Sequence, residues 1–169
     1  MDTKRETLLP LATYASVATA ILLVGLKTWA WLASGSVSLL ASLVDSLTDS
    51  LASIVNLFAV RLALRPADDN HPFGHGKAES LSALAQSAFI GGSAVFLLLN
   101  AVERLLHPQP LQQTTLGIAV MLVSLLLTLA LVLFQRWVLR RAQSQAVSAD
   151  SLHYVTDFAS NIVVLVALV

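Results

Sequence analysis

Apolar residues along this chain fall into five long stretches, each close to the length that an α-helix needs to cross a lipid bilayer. Such a helix takes about 20 mostly apolar residues. Short polar or glycine-containing segments separate the stretches, and the longest of these is RPADDNHPFGHGK, residues 65–77. The pattern predicts an all-α integral membrane protein, a polytopic bundle with helices at about 11–33, 37–64, 79–106, 113–138 and 146–169.

Composition supports a membrane protein and excludes several other classes. Of the 169 residues, 56% are hydrophobic and only 12% are charged, and the mean hydropathy is +0.76. Soluble domains carry about twice that charged fraction. Ten basic residues balance ten acidic ones, so we expect no nucleic-acid partner. The absence of cysteine excludes disulfides and thiolate metal sites.

The first stretch follows a basic start, as a cleavable signal peptide would. Its length, the lysine at position 27 and the tryptophans at its end favour a retained transmembrane helix instead. Basic residues also predict the orientation, because they accumulate in cytoplasmic loops. The N-terminus and the second-to-third and fourth-to-fifth connections share one side, and their basic residues are Lys4, Arg5, Arg61, Arg65, Lys77, Arg136, Arg140 and Arg141. We therefore expect the N-terminus and the histidine-containing loop to be cytoplasmic.

The second stretch, SLVDSLTDSLASIVNLF (residues 42–58), carries two carboxylates where lipid disfavours them. A charged side chain at mid-bilayer costs at least about 2.5–3.5 kcal/mol. Asp45 and Asp49 stand four residues apart, so both project from one face of the helix. The fifth stretch repeats this spacing with His153 and Asp157. Two matched pairs indicate that something compensates the charge.

The two pairs are predicted to meet. The second and fifth helices run in opposite directions, and counting about 1.5 Å per residue from each membrane face puts both pairs near mid-bilayer. Asp45 then lies level with Asp157, and Asp49 with His153. Three carboxylates alone would repel one another, whereas three carboxylates and an imidazole suit the tetrahedral N/O preference of Zn²⁺. We therefore predict an intramembrane metal site.

Two other interpretations of these acids stay open at this point. Each carboxylate could instead accept hydrogen bonds from neighbouring hydroxyls such as those of Ser46 and Thr48. Lys27 could neutralise one carboxylate, but the sequence places it nearer the outer face. Since the acids come as two matched pairs, the metal site is the preferred interpretation.

The loop between the second and third helices is a second candidate metal site. Asp68, His71 and His75 are ligand types within eight residues. A helix through this segment is disfavoured by one proline and two glycines, so we predict a turn that folds the three donors around an ion. A polar cytosolic loop with two solvated histidines is the alternative.

Three motifs together make the chain resemble the cation diffusion facilitator family, and closely its bacterial zinc and ferrous-iron efflux members. They are LVDSLTDS at 43–50, HPFGHGKAE at 71–79 and ADSLHYVTD at 149–157. The resemblance implies dimeric, six-helix, proton-coupled export of divalent metals. It implies a transport site at Asp45, Asp49, His153 and Asp157 and a second site in the cytosolic loop at Asp68, His71 and His75.

From this resemblance we expect residues 1–169 to hold five of six transmembrane helices, with the sixth helix and a C-terminal cytosolic domain absent. Lys77 matches a position that pairs with an acid of that domain. The expected function is efflux of zinc by proton antiport, with Fe²⁺ and Cd²⁺ as further candidate substrates. The expected setting is a homodimer of the full-length protein in the bilayer of the bacterial inner membrane.

Two competing functions are weighed against transport. An intramembrane aspartyl protease also uses two buried aspartates, but its GxGD motif is missing and GHGK is the nearest string. The HExxH helix of an intramembrane metalloprotease is missing as well. A membrane subunit that binds or senses metal without transporting it remains the second alternative. The sequence therefore predicts a secondary transporter and not an enzyme.

Overall fold

A computed structural model describes residues 3–106 and 115–167. The predicted all-α fold is confirmed: the described residues form five helices and no named strand. The helices are α1 (Thr3–Ser34), α2 (Val37–Ala63), α3 (Lys77–Leu106), α4 (Thr115–Leu139) and α5 (Gln145–Ala167). The predicted ends at 113 and 169 lie outside the described residues. The other predicted bounds agree closely, except at the start of α1.

Helix α1 begins at Thr3, well before the predicted residue 11, and continues through Pro10. The predicted start marks the apolar stretch, whereas the helix itself includes the polar residues before it, although proline lacks an N–H and so removes one intrahelical hydrogen bond. The neighbouring Leu9 and Ala12 are fully buried in a cluster with residues of α2, α4 and α5. This packing stabilises the first turns of the helix despite the proline.

A two-residue connection joins α1 to α2 and makes them an antiparallel pair. Gly35 ends α1 with a φ of +63°, a left-handed conformation that glycine adopts at little cost. Its N–H donates to the carbonyl oxygen of Trp31 at 2.8 Å. The chain then re-enters helix at Val37. The two apolar stretches therefore pack side by side.

The interior of the bundle holds many polar side chains beside its apolar clusters, and its outer surface carries many large apolar ones. Helix α1 packs on α2 and α4, and α5 packs between α3 and α4. The buried polar side chains include Ser16, Ser53, Asn56, Gln86, Gln135 and Asp150. Large apolar side chains point outward, among them Leu32, Leu51, Leu84 and Leu126. This arrangement suits a bundle whose solvent is lipid and whose interior satisfies polar groups.

Three helices are long and apolar enough, by length and composition alone, to span a membrane. Their spans are Arg5–Ser34, Val37–Ala63 and Thr115–Leu139, with mean hydropathies of 1.9, 1.4 and 2.8. Five such stretches are predicted from the sequence, and these three are the ones found among the described residues.

Candidate metal centres

An aspartate of α2 and a histidine–aspartate pair of α5 meet inside the bundle. The Nε2 atom of His153 lies 3.1 Å from Asp49 Oδ1 and 3.4 Å from Asp157 Oδ2. One ligand atom from each of the three residues lies within 4.8 Å of the others. We call these three residues the intramembrane group. Its donors are one imidazole and two carboxylates.

Helix geometry and aromatic packing position the imidazole. His153 and Asp157 stand four residues apart on α5 and therefore share one face. The ring of Phe89 meets the imidazole edge-on, with centroids 5.8 Å apart, and the Tyr154 ring lies at 5.6 Å. The His153 side chain is only 5% exposed. The imidazole is thus confined between two aromatic rings, with Nε2 facing the carboxylates.

Asp45 does not join this group. It stands one turn before Asp49 on α2, about 6 Å along the helix axis, and is exposed in the structure. Asp49 is level with His153, as the sequence analysis expected, but the structure does not bring Asp45 to Asp157 as a fourth donor. Three of the four expected ligands are therefore together, and the role of Asp45 stays a prediction.

Lys27, which the sequence placed nearer the outer face, lies against the same part of α2. Its Nζ donates to Ser46 Oγ at 2.7 Å and to the carbonyl oxygen of Ser42 at 3.2 Å. The ammonium group also interacts electrostatically with the carboxylates of Asp49, Asp45 and Asp157. The expectation that Lys27 lies too near the outer face to matter is therefore wrong. A lysine within an otherwise apolar stretch was the available signal.

The loop donors form a second group. Asp68 Oδ1 lies 3.0 Å from His71 Nδ1, and Asp68 Oδ2 lies 3.5 Å from His75 Nε2. The two imidazole centroids are 4.3 Å apart, and ligand atoms of all three residues lie within 4.8 Å of one another. We call these residues the loop group. The segment is a turn and α3 begins only at Lys77, so the predicted turn is confirmed.

Backbone geometry shapes this turn. Asp68 Oδ1 accepts hydrogen bonds from the N–H groups of Asn70 at 3.1 Å and His71 at 2.7 Å. Gly74 has a φ of +76°, a left-handed conformation that favours glycine. The hydrogen bond from the His71 side chain holds the pKa of the Asp68 carboxyl below its ordinary value. Asp68 is therefore ionised at neutral pH.

The chemistry of the two groups is alike, but their surroundings differ. Carboxylate oxygens and imidazole nitrogens suit divalent zinc, iron and related metals. The side chain of His71 is 56% exposed and that of Asp68 51%. His75 is 10% exposed, and its buried Nδ1 has no hydrogen-bond partner among the described residues. Water can complete a shell in the loop far more readily than inside the bundle.

Comparison with known proteins decides the family. The model of the cation efflux transmembrane domain matches residues 13–169. The chain belongs to the cation efflux family. This confirms the resemblance stated from the motifs, and it places the chain among transporters and not among enzymes.

Curated relatives of the cation efflux family support the same assignment. Proteins named Cation-efflux pump FieF are 57% identical over 157 residues in Klebsiella pneumoniae subsp. pneumoniae and 54% identical over 168 residues in Yersinia enterocolitica. A protein of the same name from Escherichia coli is 56% identical over 157 residues. The matches cover 93%, 99% and 93% of this chain and 52%, 56% and 52% of the relatives. The chain thus spans about half the length of the curated relatives it matches.

Proposed function

We propose that this chain forms the membrane-spanning part of an exporter of divalent cations, with Zn²⁺ as the leading substrate and Fe²⁺ and Cd²⁺ as further candidates. The observation that carries the proposal is the intramembrane group, in which two carboxylates face one buried imidazole. Ionisable side chains inside a membrane protein are costly and mark ion pathways. The relatives are named as cation-efflux pumps, which supports the same function.

In this proposal Asp45 is the fourth ligand and completes a tetrahedral site. Three carboxylates around one divalent cation leave a single net negative charge, which is less costly in a bilayer than three unpaired acids. Asp45 stands one turn from Asp49 on the same face. A change of side-chain rotamer or a small movement of α2 would bring its carboxylate toward the group.

Proton antiport follows from competition for the same atoms. A carboxylate or imidazole that binds metal cannot also hold a proton, so metal binding releases protons. A free imidazole titrates near pH 6.5, which makes His153 the ligand best suited to exchange protons at neutral pH. Since protons displace metal as the pH falls, apparent zinc affinity should rise as pH increases from about 6 to 8.

The remaining parts of the proposal concern the setting. The loop group binds metal on the cytoplasmic side as an auxiliary site, because two of its three donors, Asp68 and His71, are exposed to water and ions. The basic residues of the N-terminus and of the loop flanks favour a cytoplasmic location for both. We place the protein in the bacterial inner membrane as a homodimer, following the family resemblance of its motifs.

Zinc flux with a simultaneous pH readout in sealed vesicles tests the proposal. Vesicles that contain the protein should accumulate or release zinc along its gradient while protons move in the opposite direction. Matched vesicles with Asp49→Ala should show neither movement. Zinc binding without flux would support a sensor subunit instead, and flux without counter-movement of protons would refute antiport.

A further inference from the structure

Asp150 is a buried carboxylate that neither metal group uses. It lies on α5 one turn before His153 and is 1% exposed. Its Oδ2 accepts hydrogen bonds from Ser16 Oγ at 2.6 Å and Gln135 Nε2 at 2.7 Å. Its Oδ1 accepts a hydrogen bond from Gln86 Nε2 at 3.3 Å. The three donors belong to α1, α4 and α3, so one side chain connects α5 to three other helices.

The hydrogen bonds continue from Asp150 to the remaining helix. Ser16 Oγ lies 3.4 Å from Ser53 Oγ on α2, and Ser53 Oγ lies 2.9 Å from the Tyr154 hydroxyl. Ser16 and Ser53 are fully buried, and Tyr154 is 2% exposed. We call these linked side chains the Asp150 network, and its members are Asp150, Ser16, Gln86, Gln135, Ser53 and Tyr154. The network therefore reaches all five helices.

The intramembrane group is carried by α2 and α5. The Asp150 network joins these two helices at positions close to the ligands. On α5, Asp150 precedes His153 by three residues and Tyr154 follows it directly. On α2, Ser53 stands one turn after Asp49. A shift of one residue along a helix moves a side chain by about 1.5 Å and rotates it by about 100°. The 3.1 Å contact between His153 and Asp49 therefore requires the register that the network fixes.

We propose that Asp150 is a positioning residue of the transport site, which sets the height and rotation of α5 against α2 through the Asp150 network. The proposal depends on the proposed function only in taking Asp49 and His153 as metal ligands. Asp150 neither binds the metal nor carries the exchanged proton. Its oxygens accept from three donors, which suits an ionised carboxylate as a hydrogen-bond acceptor. Partners of this kind, one step beyond the ligands, orient ligands in metal sites.

The test uses Asp150→Asn, which keeps the size of the side chain but turns an NH₂ group toward the donors, and the milder Ser16→Ala. The matched control is Ser124→Ala, because the Ser124 hydroxyl is buried on α4 without a hydrogen-bond partner among the described residues. All variants carry His71→Ala, His75→Ala and His107→Gln, so that His153 is the one histidine left of four. This background removes binding by the loop group.

The first readout is binding of Co²⁺, whose visible absorption is strong in tetrahedral coordination. Asp150→Asn should weaken Co²⁺ binding by about 10–100-fold, as loss of an orienting partner does, and should reduce the tetrahedral bands. Ser16→Ala should do the same to a smaller extent, and Ser124→Ala should match the parent. The number of protons released per metal should not change. A change in that number for Asp150→Asn would make Asp150 a proton carrier and overturn the proposal.

The second readout needs no metal. The ¹⁵N signals of the His153 ring report its contact with Asp49, and they should shift in Asp150→Asn and in Ser16→Ala but not in Ser124→Ala. If the parent binds no Co²⁺, the proposed function fails and these signals alone decide the role of Asp150. If Asp150→Asn does not yield monodisperse protein, Ser16→Ala decides by the same criteria. Ring signals that match the control in the folded variants would overturn the proposal.

Discussion

The intramembrane group and the loop group use the same donor types but assemble them over very different distances along the chain. His153 and Asp49 meet across 104 residues, whereas Asp68, His71 and His75 lie within one turn of eight residues. The loop geometry depends on local hydrogen bonds and one left-handed glycine. The intramembrane geometry depends on the packing of five helices.

The two groups also differ in how much water surrounds them. The His153 side chain is 5% exposed, while that of His71 is 56% exposed. Beside the buried His153 imidazole, water replaces a missing ligand less readily than in the loop, and an unpaired charge is less well solvated. In the loop, water can take the place of a donor. Loss of one donor should therefore weaken metal binding strongly in the intramembrane group and moderately in the loop group.

The largest expected effect is that of Asp49→Ala on the intramembrane group. Asp49 is the one ligand from α2 that contacts His153. Its removal should weaken zinc binding by at least about a hundredfold, which is more than the loss of a residue that only hydrogen-bonds to a ligand. The measurement is equilibrium zinc titration in a His71→Ala/His75→Ala background. Asp69→Ala, at an exposed acid of the loop, serves as the control. If Asp49→Ala binds zinc with the parent's affinity, Asp49 is not a ligand of the site.

Replacing His71 or His75 by alanine should have a smaller effect, confined to the loop group. Since water can complete the shell, we expect loop zinc affinity to fall by about ten- to thirtyfold, or about 1.4–2 kcal/mol. Zinc flux through the bilayer should persist. Titration with Asp49→Ala in the background isolates the loop signal. Complete loss of flux in either variant would show that the loop group is essential and not auxiliary.

Lys27→Met should act in the opposite direction and strengthen zinc binding. The Lys27 ammonium interacts with the carboxylates of the intramembrane group, so an incoming divalent cation meets its repulsion. Removing one such charge at a partly solvated site should raise zinc affinity by about three- to tenfold. Lys77→Met, at the exposed first residue of α3, should change nothing. Weaker binding in Lys27→Met would mean that the lysine supports the site.

The smallest expected effect is that of Gly74→Ala. A Cβ at this position meets only the Ala67 backbone nitrogen at 3.9 Å, which is ordinary contact, so the cost comes from the positive φ. That cost is about 1 kcal/mol, which should lower loop zinc affinity about fivefold. Gly76→Ala is the matched control, because its Cβ has no neighbour within 4 Å. Equal affinities in both variants would refute a role for the Gly74 conformation.

Local patterns were sufficient to predict much of this molecule. Apolar length predicted the five helices, and spacing of four predicted that His153 and Asp157 share a face. The start of α1 was not predicted, because apolar length does not include the polar residues with which the helix begins. The turn at Asp68 followed from the proline and glycines around it. These features depend on residues that are close together in the sequence.

Features that depend on packing between helices were not predictable in the same way. The direction of the Lys27 side chain depends on how α1 rests on α2. The surroundings of Asp150 come from three other helices, and the sequence shows only a single acid three residues before His153. That spacing places Asp150 on the ligand-bearing face and was the one available signal. The outward position of Asp45 likewise depends on the fit of α2 against its neighbours.

The burial of Asp150 has a consequence for biogenesis. The Asp150 carboxylate of α5 is satisfied by donors from α1, α3 and α4. All three helices precede α5 in the chain and therefore leave the ribosome first. We therefore expect a nascent α5 to enter the bilayer by docking onto helices that are already in place. Variants that remove these donors should leave α5 exposed to water during synthesis. Membrane-impermeant reagents should then modify side chains of α5 more than they do in the parent.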